Sequence, residues 1–156
     1  MKTTNRFLVL IAIVLVSFSF NSCNCNKSDS KDITITLYVD TDNVKQNNTS
    51  TTCNFGQKDG TSNEDYLVEA NVGDNITWEG VAISPSEGEV NITMIKHIKG
   101  PNVFDKGELT GKRKVNGKLK NNTKKGSDYK YKIFFTVNGE NKQYHIDPKL
   151  QVPIKD

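Results

Sequence analysis

Hydrophobic and polar residues alternate along most of this chain, and the alternation has the period of a β-strand. Ile33, Ile35, Leu37 and Val39 are interleaved with Thr34, Thr36 and Tyr38, which puts four aliphatic side chains on one face of a first strand. Two short strands follow at Tyr66 to Asn71 and Asn75 to Glu79, parted by the turn signal Val72-Gly73-Asp74. Val90, Ile92 and Met94 resume the alternation with Met94 in the core register, Ile95 breaks it in the manner of a bulge before Ile98, and Gly100-Pro101 ends the strand. The clearest strand has Tyr129, Tyr131, Ile133, Phe135 and Val137 on one face, with Phe134 on the other. Asn138-Gly139 after it is a strong hairpin signal. It predicts a return strand over Lys142 to Ile146, with an edge pairing at Gln151 to Ile154.

Two stretches lack this pattern. Asp40 to Asp65 is polar, with Val44, Cys53 and Phe55 as its apolar residues, so it is either a functional loop or conceals an edge strand near Thr51 to Phe55. Asn102 to Ser127 is basic and dotted with glycine, with a weak strand signal around Val115 to Leu119. A helical period is nowhere evident. The fold class that follows is all-β: a single Greek-key β-sandwich of seven or eight strands.

The N-terminus follows a different rule. Lys2 and Arg6 precede an apolar stretch from Phe7 to Phe20, then Asn21, Ser22 and Cys23. That stretch is short for a membrane span, which needs about 20 residues, and suits the h-region of a removable signal. Phe20-Asn21-Ser22-Cys23 resembles the lipobox of bacterial lipoproteins, with a small residue before the cysteine. The resemblance implies cleavage before Cys23, lipid on Cys23, and a membrane anchor in the cell envelope. Asn24 in place of Asp is similar to sorting signals for the outer membrane. Residues 24–31 offer no apolar residue except Cys25 and read as a flexible tether. The domain plan is therefore 1–22 signal, 23–31 tether and 32–156 sandwich.

Charge divides unevenly but suggests no separate tail. Residues 23–95 hold 4 Lys against 12 Asp and Glu, and residues 96–156 hold 14 Lys and one Arg against 6 acids, giving −8 and +9. Strands of a sandwich interleave, so the halves neutralise each other within one fold. Nucleic acid is excluded as a partner by the export signal and by Arg113 being the one arginine of the mature chain, since bidentate recognition favours arginine. With Cys23 used for lipid, an exported compartment permits a disulfide between Cys25 and Cys53, the alternative being a free thiol.

Several residues could carry chemistry. His97, His145, Cys53 and Met94 make up the inventory of a blue-copper site, but their order along the chain is wrong for one, and no metal or other cofactor is expected. Asp40-Thr41-Asp42-Asn43 opens like a calcium loop, yet Lys45 and Thr51 occupy the positions that require Gly and Glu, so a solvated acidic turn is expected. No Gly-x-Ser-x-Gly elbow or phosphate-cradling glycine motif is present, and no catalytic residue is assigned. Trp78 shares a two-residue register with Ile76 and is expected in the core. Phe134 points away from the aliphatic face of its strand, so it is either covered or part of an interaction patch.

The order Val72-Gly73-Asp74-Asn75-Ile76-Thr77-Trp78, then Tyr129-Lys130-Tyr131, then Asp147-Pro148, resembles small Greek-key sandwiches of cupredoxin-like form, among them the AidA/PixA inclusion-body-type proteins. The resemblance covers residues 66–154 and implies a fold without any catalytic residue. The expectation is a lipid-anchored envelope protein acting as a non-catalytic binding or structural module. Loops 40–65 and 102–127 are its contact surfaces for a glycan or protein. The alternatives are an envelope enzyme acting on glycan or peptide and, third, a copper-binding cupredoxin.

Overall fold

The computed structural model describes residues 30–120 and 123–154. The stretch expected to be a signal, together with Cys23 and Cys25, lies outside the described residues. Ten strands and one short helix follow in the order β1 (Asp32–Val39), α1 (Thr49–Thr52), β2 (Cys53–Asn54), β3 (Leu67–Glu69), β4 (Asn75–Ala82), β5 (Val90–Lys99), β6 (Glu108–Thr110), β7 (Val115–Lys118), β8 (Ser127–Val137), β9 (Tyr144–Ile146) and β10 (Lys149–Val152). One sheet runs β2-β1-β4-β7; the other runs β3-β10-β8-β5-β6, with β9 also paired to β8. The all-β sandwich expected from the alternation is what forms. The strand number exceeds the seven or eight expected because β2, β3, β6 and β9 have two or three residues each, too few to establish a period.

The alternating aliphatics set the core. Ile35, Leu37 and Val39 of β1, Ile76 and Trp78 of β4, and Tyr129, Tyr131, Ile133, Phe135 and Val137 of β8 are all buried. Trp78 is fully buried as expected, and its indole Nε1 donates to Tyr131 Oη across the sandwich at 3.1 Å. The bond satisfies the two polar atoms that burial of these rings would otherwise strand. Phe104 meets Trp78 and Tyr129 edge-on, with centroids 5.6 and 5.3 Å apart. Loop 102–127 thus contributes Val103, Phe104, Val115 and Leu119 to the core.

Two irregularities in β5 correct the reading of Met94. Ile92 pairs with Phe135 and Met94 with Phe134, so Thr93 is an extra residue; a second shift falls between His97 and Lys99. The first bulge exchanges the faces, taking Ile95 into the core and Met94 out of it. Thr93 sits across the bulge, donating through Oγ1 to the Phe134 carbonyl at 3.2 Å.

The C-terminal strands are one bent strand in two pieces. β9 pairs with Ile133–Phe135 and β10 with Ser127–Lys130 on the same edge of β8, and the break is Asp147-Pro148, where proline has no N–H to give the ladder. Asn138 and Gly139 do form the expected turn with positive φ of 51° and 70°, closed by Glu140 N–H on Val137 O at 2.9 Å. The return strand is shorter than expected, starting at Tyr144. At the opposite end, the carboxylate of the fully buried Asp74 accepts from Lys31 N–H at 2.8 Å and Asn71 N–H at 2.7 Å. This fixes the start of β1.

Candidate binding cleft between loop 40–65 and the C-terminal edge

The long polar segment is a built structure. After β1 the chain turns at Asp40, whose carboxylate accepts from Asn43 Nδ2 at 2.8 Å and Ser84 Oγ at 2.9 Å. These bonds hold its pKa below the ordinary carboxylate value. Asp42 in turn accepts from Ser86 Oγ. Both oxygens of Asp40 and one of Asp42 are thereby engaged within the protein, and two of these bonds tie the turn to residues 84–86.

Asn48 organises the next stretch, accepting from Lys45 N–H at 2.6 Å and donating from Nδ2 to Asn43 O at 3.0 Å. The short α1 and β2 follow, so the segment does hide an edge strand, though only at Cys53 and Asn54, opposite Val39 and Tyr38. Asn63 then binds the loop from within. Buried to 6% exposure, it donates to Cys53 O at 2.9 Å and Thr49 O at 3.1 Å and accepts from Gln57 Nε2 at 2.8 Å. Phe55 and Tyr66 stack at 4.4 Å beneath.

This loop is attached to β9 through Gln46. Its Oε1 accepts from His145 N–H at 3.1 Å and its Nε2 donates to His145 O at 3.4 Å. A side-chain amide thus takes the place of a neighbouring strand on the edge of β9 that β8 does not use. Between loop and strand lies a cleft of about 420 Å³, lined by Gln46, Thr49, Ser50, Ser62, Asn63, Glu64, His145, Ile146 and Asp147. Its walls supply hydroxyls, amides, two carboxylates and an imidazole, with Asp147 4.0 Å from Lys132 Nζ. A second depression of about 340 Å³ lies along loop 102–127, bounded by Phe104, Lys106, Glu108, Asn116 and Lys118 among others.

The remaining residues singled out from sequence are dispersed. His145 projects from the outer face of its sheet next to Phe134, their rings 5.6 Å apart, so Phe134 is half-buried and partly covered by an imidazole. Met94 is directly opposite Phe134 on its other side. His97 instead stacks on Tyr129 at 5.1 Å and has its Nε2 2.7 Å from Gly100 O. Cys53 is buried on β2, and burial pushes its thiol up to about 11. Among the described residues, no group of three or more His, Cys, Asp or Glu is placed to hold a metal ion. Cys53 has no disulfide partner among them either.

The sequence does not single out Gln46 and Asn63, because the chain holds 18 Asn and amide residues look like a compositional bias. A signal was present in their positions: each lies in a loop too long to be left unsupported.

No protein-family model matches the chain, and none of the curated proteins matches it. Among solved structures, it is similar to the inclusion body protein PixA of Burkholderia cenocepacia J2315, at 13% identity and a TM-score of 0.49 over 80% of this chain and 94% of that one. At that level the likeness says nothing of what this chain binds or does.

Proposed function

We propose that this chain is an envelope lipoprotein, anchored in the outer membrane through lipid on Cys23, whose sandwich acts as a non-catalytic binding module for a glycan or protein ligand. The cleft between loop 40–65 and β9 is the observation that carries the reading. It is walled by hydrogen-bonding side chains on a frame that Gln46, Asn48 and Asn63 fix in advance, and a preformed frame lowers the ordering cost of binding. Loops on a rigid sandwich are the usual place for recognition.

The test is a screen of the full-length protein in detergent against immobilised glycans and peptides, beside a Ser50→Trp variant. Ser50 is exposed at the cleft, so tryptophan there blocks the opening without entering the core. A ligand whose affinity falls at least about tenfold in the variant, a loss of ~1.4 kcal/mol, supports the reading. Ligands held equally well by both proteins refute the cleft as the site.

A second reading, an enzyme acting on glycan or peptide, draws on Glu64, His145 and Asp147 sharing this cleft. It requires turnover that survives purification and disappears in His145→Ala.

A further inference from the structure

Unpaired lysines gather at the end of the sandwich where β1 begins. β4 and β8 also begin at this end, and β3, β5, β7 and β10 finish there: Asp32 stands opposite Asn75, Asn75 opposite Lys118, and Val152 opposite Ser127. Gly73 N–H donates to Leu119 O at 3.2 Å, Lys120 N–H to Val103 O at 3.0 Å and Gly126 N–H to Val152 O at 2.6 Å. These bonds bring the connections 70–74, 100–107 and 119–126 together with the last residues after β10. Lys31 joins them, its N–H held by Asp74.

Lys31, Lys99, Lys118 and Lys125 are exposed here and Lys120 is half-exposed. None of the five makes an ion pair among the described residues. With Lys106 and Lys124 they make seven lysines against four exposed acids, Asp32, Glu69, Asp105 and Asp128. At the other end the loops 40–48, 83–89, 111–114 and 138–143 balance, with five acids and five bases, so the positive excess belongs to this end. Apolar groups stand among the lysines. Ile154, 71% exposed, lies beside Gly126, Ile98 precedes Lys99 at 42%, and Pro101 is exposed next to them.

We propose that this end of the sandwich docks on the anionic lipid headgroups of the membrane, with Ile154, Ile98 and Pro101 at the headgroup boundary and the lysines around them on phosphates. This docking rests on the anchor at Cys23 proposed above, and the chain length favours it. Lys31 is eight residues from Cys23, which span at most about 28 Å, so a lipid there keeps the basic end close to the surface. A short tether makes the contact intramolecular, and individually weak attractions then suffice. Lysines near an anionic bilayer are attracted within a Debye length, about 10 Å at ordinary salt, and an apolar group in a basic setting is the composition of an interfacial contact. β1 runs eight residues away from this end, about 26 Å, so docking holds loop 40–48 off the surface.

The test is hydrogen exchange of the full-length protein on phosphatidylcholine vesicles and on vesicles in which phosphatidylglycerol replaces part of that lipid. On the anionic vesicles exchange in residues 102–103 and 119–126 is expected to slow at least about tenfold, with no slowing on phosphatidylcholine and none in loop 40–48 on either. High salt should abolish the difference. So should Lys99→Glu, Lys118→Glu and Lys125→Glu together, three exposed positions whose replacement is expected to leave the circular dichroism spectrum unchanged. Equal exchange on the two vesicles, or protection that survives the three glutamates, would overturn the proposal. Protection by dextran sulfate with none on anionic vesicles would assign the surface to a soluble polyanion and overturn it too. Failure of the anchor is read separately, as an intact mass without lipid; protection that still follows the lysines on anionic vesicles would then uphold the surface, and its absence would overturn it.

Discussion

The carboxamide of Gln46 bonds both backbone groups of His145, N–H to Oε1 at 3.1 Å and Nε2 to C=O at 3.4 Å, although the two residues are 99 positions apart. This one side chain covers the free edge of β9 and lines the cleft. Gln46→Ala is expected to leave the fold intact and cost about 1 kcal/mol, the net worth of ordinary hydrogen bonds at an exposed site. Hydrogen exchange should speed up at His145 and through residues 43–50 while β4 and β8 stay protected. Unchanged exchange at His145 would mean that the loop holds its place without Gln46.

Asn63 is expected to be far more sensitive. It is buried, and its amide serves the carbonyls of Cys53 and Thr49 together with Gln57 Nε2. Asn63→Leu leaves these groups without a partner, and a destabilisation of roughly 2–4 kcal/mol follows. Chemical denaturation of the variant and of Gln46→Ala gives the comparison. Equal losses in the two would contradict the assignment of Asn63 as the internal tie.

Cys53 links a sequence expectation to a pH measurement. Its folded pKa is raised to about 11 by burial, so the thiol form is favoured by folding. That contribution is fully present below the unfolded thiol value of about 8.5 and is lost as pH rises toward 11. At pH 8 a thiol reagent should therefore leave Cys53 of the folded chain unmodified and react with it in denaturant. A residue that reacts in denaturant only after reduction would instead establish a disulfide, and Cys25 would be the first partner to test by mass spectrometry.

Acid should act through Asp40 and Asp65. Hydrogen bonds from Asn43 and Ser84 lower the first, and Lys149 and Ser62 lower the second. A depressed carboxylate adds stability above its unfolded pKa, near 4, which is lost as pH falls through the lower folded value. Melting temperature followed from pH 6 downward should fall in that window. Asp40→Asn with Asp65→Asn should flatten the fall; an unaltered slope would assign acid sensitivity to other groups.

The strands that could be read from the sequence are those long enough to repeat the alternation: β1, β4, β5 and β8 have at least eight residues each, and the buried faces of β1, β4 and β8 are the ones the pattern indicates, as is that of β5 up to Ile92. Ile95 even signalled the irregularity in β5. What the pattern could not locate was the extra residue, and placing it at Thr93 rather than later moves Met94 across the sheet. Sequence also flagged loop 40–65 by its length but not its architecture, because Asn48, Gln57 and Asn63 act through hydrogen bonds to backbone groups that no periodicity records. The cleft exists only where residues near 46 and 63 meet residues near 146, a juxtaposition set by tertiary structure. Trp78 and Tyr131 were legible as core residues singly; their mutual hydrogen bond was not.

The anchor matters most to the proposed role, since a tethered module and a freely diffusing one meet different ligands. The direct measurement is metabolic labelling of the full-length chain with a clickable palmitate analogue, followed by mass spectrometry of the mature N-terminus, with Cys23→Ser in parallel. Label is expected on the wild-type chain, with Cys23 as its first residue carrying lipid, and no label is expected on the variant. An unlabelled wild-type chain, or a mature N-terminus elsewhere than Cys23, would contradict the anchor.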